Sequence, residues 1–431
     1  MKRYTEIKLK DWKESPERKP LLLMGARQVG KTWLMKNFAS NEFKNFIYVN
    51  FEKEVELKKV FEQDYEPQRI VKALEIQKGV RLTAGDSILI LDEIQAADGG
   101  LTSLKYFNEE MKDLHVIAAG SLLGVALGQK NSFPVGQVDF MYLYPMNFSE
   151  FLLACGQEQI AEIIENKDWS IIDLLHPKIV SLLKDYYFVG GMPEAVLSYS
   201  KYLNYDKVRK IQDNILNAYD QDFSKHAPAE IIPRIRMLWN SILSQLTKEN
   251  KKFIYGLLKE GARAKDFELA LNWLENYGLI YKVNSVNKAT FPLSSYVDFN
   301  CFKIYALDLG LLAAMGDLSV KTLLDNQLFS EFKGALAEQY ALQELKAAGQ
   351  KKIFYWSNDS GAAELDFIFE KEGKIYPLEV KANENLQAKS LKIFLLKYPD
   401  ISGWRSSLSK YREEARFCNI PLYAVTNMIK S

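Results

Sequence analysis

Cysteine is scarce in this 431-residue chain: Cys155, Cys301 and Cys418 are three in number and far apart. An odd, scattered set excludes a disulfide framework and matches no zinc-ligand spacing, and it fits a reducing compartment. Long apolar runs are missing too, since no segment approaches the ~18 consecutive apolar residues of a membrane span. The first residues, Met1-Lys2-Arg3-Tyr4-Thr5-Glu6, lack the apolar core of a secretory signal. A cytoplasmic protein with no membrane partner is therefore expected. Charge of one sign is absent as well, because 56 Lys and Arg nearly cancel 55 Asp and Glu to leave a net charge of +1. No global basic field attracts nucleic acid, so any such contact must come from a local patch. Internal repeats and low-complexity tracts are not evident. What remains is 48% hydrophobic and 26% charged, the composition of ordinary globular domains, of which this length accommodates about two to four.

Against that plain background one stretch stands out. Gly25-Ala26-Arg27-Gln28-Val29-Gly30-Lys31-Thr32 follows the apolar run Leu21-Leu22-Leu23-Met24 and precedes a helix-compatible Trp33-Leu34-Met35-Lys36-Asn37-Phe38. Strand, Gly-rich loop and helix together make a P-loop. The glycines let successive N–H groups turn toward phosphate oxygens. Lys31 adds a charge near the β- and γ-phosphates, Thr32 offers a hydroxyl to Mg²⁺, and the helix dipole favours an anion. ATP is the expected ligand.

Ile88-Leu89-Ile90-Leu91 leads into Asp92-Glu93-Ile94-Gln95. An unbroken aliphatic run this short predicts a buried parallel strand, and acidic residues at its C-terminal end lie where ligands bind in open α/β sheets. Asp92 is the expected Mg²⁺-shell residue and Glu93 the residue that polarises the attacking water. Further strands are predicted at Phe46–Phe51, at His115–Ala119 and at Val138–Tyr144, the last stopped by Pro145. An added strand with an adjacent Glu base resembles the additional-strand division of P-loop ATPases. Ser121 follows His115–Ala119 either as a γ-phosphate sensor or as a helix N-cap.

Helical periodicity dominates from Phe148 to about Lys225, interrupted at Gly190-Gly191-Met192-Pro193. Paired glycines before Met-Pro read as structural punctuation, with a hinge as the alternative. Beyond Pro228 and Pro233, helices are predicted at Ile235–Thr247, Phe253–Glu260 and Ala264–Tyr277. Strands follow at Leu279–Val283 and Phe302–Tyr305. Three helices and a two-stranded wing spell a winged helix-turn-helix. Its third helix sets Lys265 against Asp266, Glu268 and Glu275, which favours a protein contact over a phosphate backbone. Lys248, Lys251, Lys252 and Arg263 keep DNA open as a partner.

Near the C-terminus, Glu364–Glu370 and Ile375–Lys381 alternate polar and apolar residues about Glu372-Gly373. Antiparallel pairing there sets Asp366 opposite Glu379 and Glu364 opposite Lys381. Asp366, Glu379 and Lys381 share one face, while Leu365, Phe367, Phe369, Leu378 and Val380 form the core side. Opposed carboxylates are costly unless a cation lies between them. Either Mg²⁺ or Mn²⁺ sits there with Lys381 and a further carboxylate from Glu338, or the hairpin is solvated and carries a Glu364–Lys381 ion pair. Pro377, which cannot donate to a ladder, implies an edge strand.

With these residues in hand, the chain resembles the prokaryotic AAA+ ATPases that carry a winged helix and a C-terminal PD-(D/E)XK nuclease-like domain. GARQVGKT, ILILDEIQ, AAGSLLG, YPMNFSEF, VGGMPEAV, FKIYALDLGLL, GALAEQY and ELDF…LEVKA carry the resemblance in order, essentially end to end. It implies an α/β fold with a P-loop NTPase parallel sheet of the additional-strand AAA+ type at residues 1–151. A helical lid would follow at 152–225, a winged helix at 226–318 and a restriction-endonuclease-like α/β domain at 319–431. Gly25 to Thr32 carry over as the nucleotide loop, Asp92 and Glu93 as metal and water residues, and Ser121 as sensor. Glu338, Asp366, Glu379 and Lys381 match the nuclease superfamily's Glu, Asp and Glu-X-Lys positions. The implied activity is an ATPase whose nucleotide state controls a DNA-associated or nuclease-like module. The alternative is a slow nucleotide switch in a signalling or defence complex whose C-terminal domains recruit a partner. Many relatives carry an arginine before the last sheet strand where this chain has Gln137, which leaves the trans-acting arginine and the oligomeric state unassigned.

Overall fold

The computed structural model of the chain describes residues 1–120, 134–248, 252–324, 330–358, 363–384 and 387–430. Ser121 lies outside the described residues. The chain divides into two compact units, Met1–Tyr144 with Asn276–Gly278, and Pro145–Glu275 with Leu279–Ser431.

In the first unit a charged helix, α1 (Thr5–Glu14), precedes β1 (Leu21–Met24). There follow α2 (Lys31–Glu42), β2 (Asn45–Asn50), α3 (Pro67–Lys78), β3 (Ser87–Asp92), α4 (Gly100–Glu110), β4 (His115–Ala119) and β5 (Asp139–Tyr142). Among the described residues these strands form a five-stranded sheet in the order β2-β3-β4-β1-β5, every neighbour pair parallel. The aliphatic runs behave as read: every residue of β1, β3 and β4 is buried. Alternate residues Leu22, Leu89, Leu91 and Val116 meet Ile70, Leu74, Leu104 and Phe107 of α3 and α4. Each such side chain contributes roughly 1.5–3 kcal/mol through burial. The strand lying between the P-loop strand and the acidic strand is β4, while β2, the Phe46 strand, forms an edge.

The second unit opens with helices α5 (Phe148–Ala154), α6 (Glu158–Glu165), α7 (Trp169–Val189), α8 (Pro193–Tyr202), α9 (Tyr205–His226) and α10 (Ile232–Leu246). Asn147 starts α5 with a capping box, accepting from Glu150 N while the Glu150 carboxylate accepts from Asn147 N. The α7–α8 break falls at the paired glycines, and Pro193 opens α8. A Cβ on Gly190 would meet Asp308 Oδ1, and one on Gly191 would fall on the Met146 carbonyl oxygen. These glycines are sites of close backbone approach, which agrees with the punctuation reading.

After α11 (Ala264–Asn276) come β6 (Ile280–Val286), β7 (Val297–Ala306), α12 (Leu309–Met315), α13 (Val320–Leu324) and α14 (Ser330–Ala347). The chain continues through β8 (Ile353–Ser357), β9 (Glu364–Lys371), β10 (Lys374–Val380), α15 (Lys389–Lys397), β11 (Gly403–Ser407), β12 (Arg412–Glu413), β13 (Phe417–Pro421) and α16 (Val425–Lys430). Eight described strands join in the order β12-β13-β11-β10-β9-β8-β6-β7.

Three details depart from the sequence reading. The helix expected at Phe253–Glu260 is a single 3₁₀ turn, Tyr255–Leu257. Phe253 N donates to Phe302 O at 2.8 Å and Ile254 exchanges two bonds of 3.0 Å with the Gln245 amide, which hold the segment extended. The expected wing, β6 with β7, is antiparallel as read, but β6 also pairs in parallel with β8 at Ser285↔Tyr355 and Val286↔Trp356. Third, β10 is interior despite Pro377. Its parallel ladder to β11 begins at Leu378↔Trp404, one residue after the proline, so no donor is missed.

Candidate functional site

The P-loop geometry follows from its glycines and from the carbonyls around it. Gly25 has φ +147° and a Cβ there would run into the Leu143 carbonyl oxygen, so both conformation and space demand glycine. Gly30, at φ +94°, caps α2. Gln28 also takes a positive φ of 66°, a left-handed setting that costs roughly 1–2 kcal/mol for a residue with a side chain. An unforeseen tether braces the loop: the buried Arg3 guanidinium donates to Val29 O at 3.1 Å and to Tyr144 O at 2.6 Å.

Lys31, only 6% exposed, donates from Nζ to Gly25 O at 2.7 Å and Ala26 O at 2.8 Å. Burial lowers its pKa to about 8, opposed by the nearby Glu93 and Asp92 carboxylates. Thr32 Oγ1 donates to Asp92 Oδ2 at 2.7 Å. The same oxygen accepts from the Tyr48 hydroxyl at 2.8 Å, and Asp92 Oδ1 accepts from Glu93 N at 3.1 Å. Tyr48, on β2, was missed at the sequence level because it lies 44 residues from Asp92. Burial raises its pKa to about 12, which keeps it a donor. Glu93 adopts φ 51° and accepts from Gln95 Nε2 at 2.6 Å. The Thr32 hydroxyl and Asp92 carboxylate thus present adjoining hard oxygen donors, a set that fits Mg²⁺. Gln137, which stands in place of the expected arginine, accepts from Asn108 Nδ2 at 2.5 Å.

At the C-terminal end the hairpin register is as read from Lys374↔Lys371 to Leu378↔Phe367. Glu372 and Gly373 turn it with φ 50° and 73°, the pair of positive angles that a two-residue turn requires. Past Phe367 a side chain continues the pairing, with Val380 N donating to Asp366 Oδ2 at 2.7 Å. Glu338, Asp366, Glu379 and Lys381 line one pocket of about 300 Å³, together with Glu364. The hairpin face that the solvated alternative leaves in water is partly withdrawn from it: Glu379 is 2% exposed and Ile368 0%, while Glu364, Asp366 and Lys381 are half-buried.

The ion pairs are not those of the solvated alternative. Glu364 meets Lys303 Nζ at 2.5 Å rather than Lys381, and Lys381 Nζ meets Glu379 at 2.8 Å. Lys303, fully buried on β7 and also 3.9 Å from Glu338, was missed. Its signal was available, since a lysine inside Phe302-Lys303-Ile304-Tyr305 requires a buried anion. Among the described residues no group of three or more His, Cys, Asp or Glu side chains is arranged to hold a metal ion. Each of the expected metal carboxylates, Glu338, Asp366 and Glu379, is engaged by a donor of the chain itself. No helix among the described residues is long and apolar enough to cross a membrane.

Comparison with known proteins adds three family matches. An AAA domain covers residues 17–152, and two domains of unknown function, DUF8612 and DUF4143, cover residues 180–322 and 333–423. No curated protein matches. Among solved structures, a Walker-type ATPase of Pyrococcus abyssi is 15% identical with a TM-score of 0.46, over 73% of this chain and 95% of that one. The ORC1 protein of Aeropyrum pernix, solved with DNA, is 13% identical with a TM-score of 0.28, over 74% and 93%. AMPPCP-bound DnaA from Aquifex aeolicus is 13% identical with a TM-score of 0.24, over 63% and 86%. The AAA match, the P-loop and the all-parallel sheet with its acidic strand end together identify residues 17–152 as an AAA-type P-loop ATPase domain.

Proposed function

We propose that this chain binds ATP and Mg²⁺ and hydrolyses ATP, and that its nucleotide state controls the C-terminal half. The observation that carries the reading is the Thr32 hydroxyl held 2.7 Å from Asp92 at the strand end, with Glu93 next in sequence. The main-chain N–H groups from Gly25 to Thr32 cradle the phosphates. Lys31 leaves its carbonyl partners to meet the β- and γ-oxygens, and Glu93 orients a water for in-line attack. When bound at Thr32 and Asp92, Mg²⁺ neutralises charge across the β- and γ-phosphates. Ser121 serves as sensor in this reading. The protein works in the cytoplasm, with residues 152–225 as lid, 226–318 as a winged helix that meets a protein partner or DNA, and 319–431 as a nuclease-like module.

Replacing Glu93 with Gln tests this directly. ATP affinity should stay within about threefold while turnover falls about 10²–10⁴-fold, the range of a lost general base. Wild-type turnover in the variant would remove Glu93 from that role.

A second reading, the slow nucleotide switch whose C-terminal domains recruit a partner, is favoured by the lysine buried among the C-terminal carboxylates. Steady hydrolysis stimulated by DNA supports the first reading. Stoichiometric, tight retention of nucleotide supports the second.

A further inference from the structure

The C-terminal pocket is rich in carboxylates, yet each one is already held by a donor of the chain itself. Glu364 Oε1 lies 2.5 Å from Lys303 Nζ. Glu338 Oε2 accepts from the Tyr305 hydroxyl at 3.2 Å and lies 3.9 Å from the same ammonium. Asp366 Oδ2 accepts from Val380 N at 2.7 Å. Glu379 meets Lys381 Nζ at 2.8 Å through one oxygen and Leu391 N at 3.1 Å through the other.

A divalent cation requires several of these oxygens to turn toward one point at roughly 2.0–2.6 Å. Here they turn toward separate donors, and no three described acidic groups converge. Lys381 is partly exposed and can swing away, with its side chain 36% accessible, whereas the Lys303 side chain is 0% accessible. Tyr355 closes over Lys303, with its ring centroid 4.9 Å from Nζ. The Lys303 charge is therefore a fixed part of the core, anchored on β7, which pairs with β6 at one end of the eight-stranded sheet. A second cation brought to Glu338 or Glu364 would meet that ammonium at close range with little water to screen it.

We propose that Lys303 supplies internally the positive charge that a metal-dependent hydrolase draws from a divalent ion, so that this pocket is a charge-compensated site that takes no metal. The inference is independent of the nucleotide reading, since it concerns only residues of the second unit. It separates the likeness in residue positions from the chemistry: Glu338, Asp366, Glu379 and Lys381 can occupy a nuclease-like arrangement while the added lysine prevents metal loading.

The test is Mn²⁺ titration of the full-length chain without nucleotide, reading free Mn²⁺ by electron paramagnetic resonance. Wild type and Asp366→Asn should bind the same number of Mn²⁺ ions. Lys303→Gln should bind one more, at least about tenfold tighter than any binding to wild type at this pocket, because the competing ammonium is gone. That extra ion should disappear in the Lys303→Gln, Asp366→Asn double variant. The proposal is overturned if wild type binds one Mn²⁺ more than Asp366→Asn. It is equally overturned if a folded Lys303→Gln chain, checked by circular dichroism, gains none. Should Lys303→Gln fail to fold, the wild-type and Asp366→Asn comparison decides alone, with Lys303→Arg as a folded, charge-retaining control that should gain no ion.

Discussion

Lys31→Met should make the nucleotide-binding unit more stable and at the same time useless for ATP. The ammonium is 6% exposed, and burial brings its pKa from 10.5 to about 8. A difference of that size means that holding the charge costs the fold about 3 kcal/mol at neutral pH. Against this stand the bonds to Gly25 O and Ala26 O at 2.7 and 2.8 Å, each contributing about 1 kcal/mol net. Methionine fills the same space without charge, so the expected gain is about 1 kcal/mol. The sign with pH follows from the same shift. Between about 8 and 10.5 the unfolded chain holds a proton that the folded chain has lost, so wild-type stability rises with pH across that window. The variant should lack this rise. Losing the phosphate partner should weaken ATP binding about a thousandfold, or about 4 kcal/mol. Hydrogen exchange at Leu21–Met24 and Ser87–Asp92, with and without ATP, reads the stability of this unit separately from the other. A variant destabilised by more than about 1 kcal/mol would refute the desolvation argument. A variant that still gains protection from ATP would refute the role of the lysine.

Two further outcomes are expected. His115 is 4% exposed, packed edge-on against Trp12 and Phe43, and burial lowers its pKa to about 4. Because the unfolded imidazole binds its proton near 6.5, stability is lost as pH falls from 6.5 toward 4, by at most about 3 kcal/mol. With three histidines in the chain, proton NMR should find the His115 ring neutral at about pH 5.5, and a midpoint above 6 would contradict its burial. Gly191→Ala should cost about 3 kcal/mol or more, because the new Cβ must displace Met146 and with it the 2.7 Å bond from Met146 N to Gly191 O. Gly156→Ala meets open space at φ +70° and should cost only about 1 kcal/mol, so equal urea midpoints for the two variants would refute the steric account.

The parts legible in the sequence are those whose signals are local. The P-loop, the all-buried strands and the Glu372-Gly373 hairpin register each depend on residues within a few positions of one another. The invisible parts are contacts across the chain. Tyr48 meets Asp92 and Arg3 meets Tyr144 only after the sheet forms. The helix expected at Phe253–Glu260 lost to bonds from Phe302 and Gln245, which override a weak local preference. Pro377 argued for an edge because position in a ladder matters more than position in a strand, and its nitrogen precedes the β11 ladder. Lys303 could have been noticed, but its partners Glu338 and Glu364 lie far along the chain, so the sequence alone does not pair them.

The bridge from β6 to β8 has a consequence for how this polypeptide can be divided. Two paired registers, Ser285↔Tyr355 and Val286↔Trp356, weld the strands expected to form a wing to the domain expected at residues 319–431. Cutting near residue 318 would leave a raw strand border on each fragment, with Trp356 stripped of its neighbour. Segments so joined should open and lose hydrogen-exchange protection together.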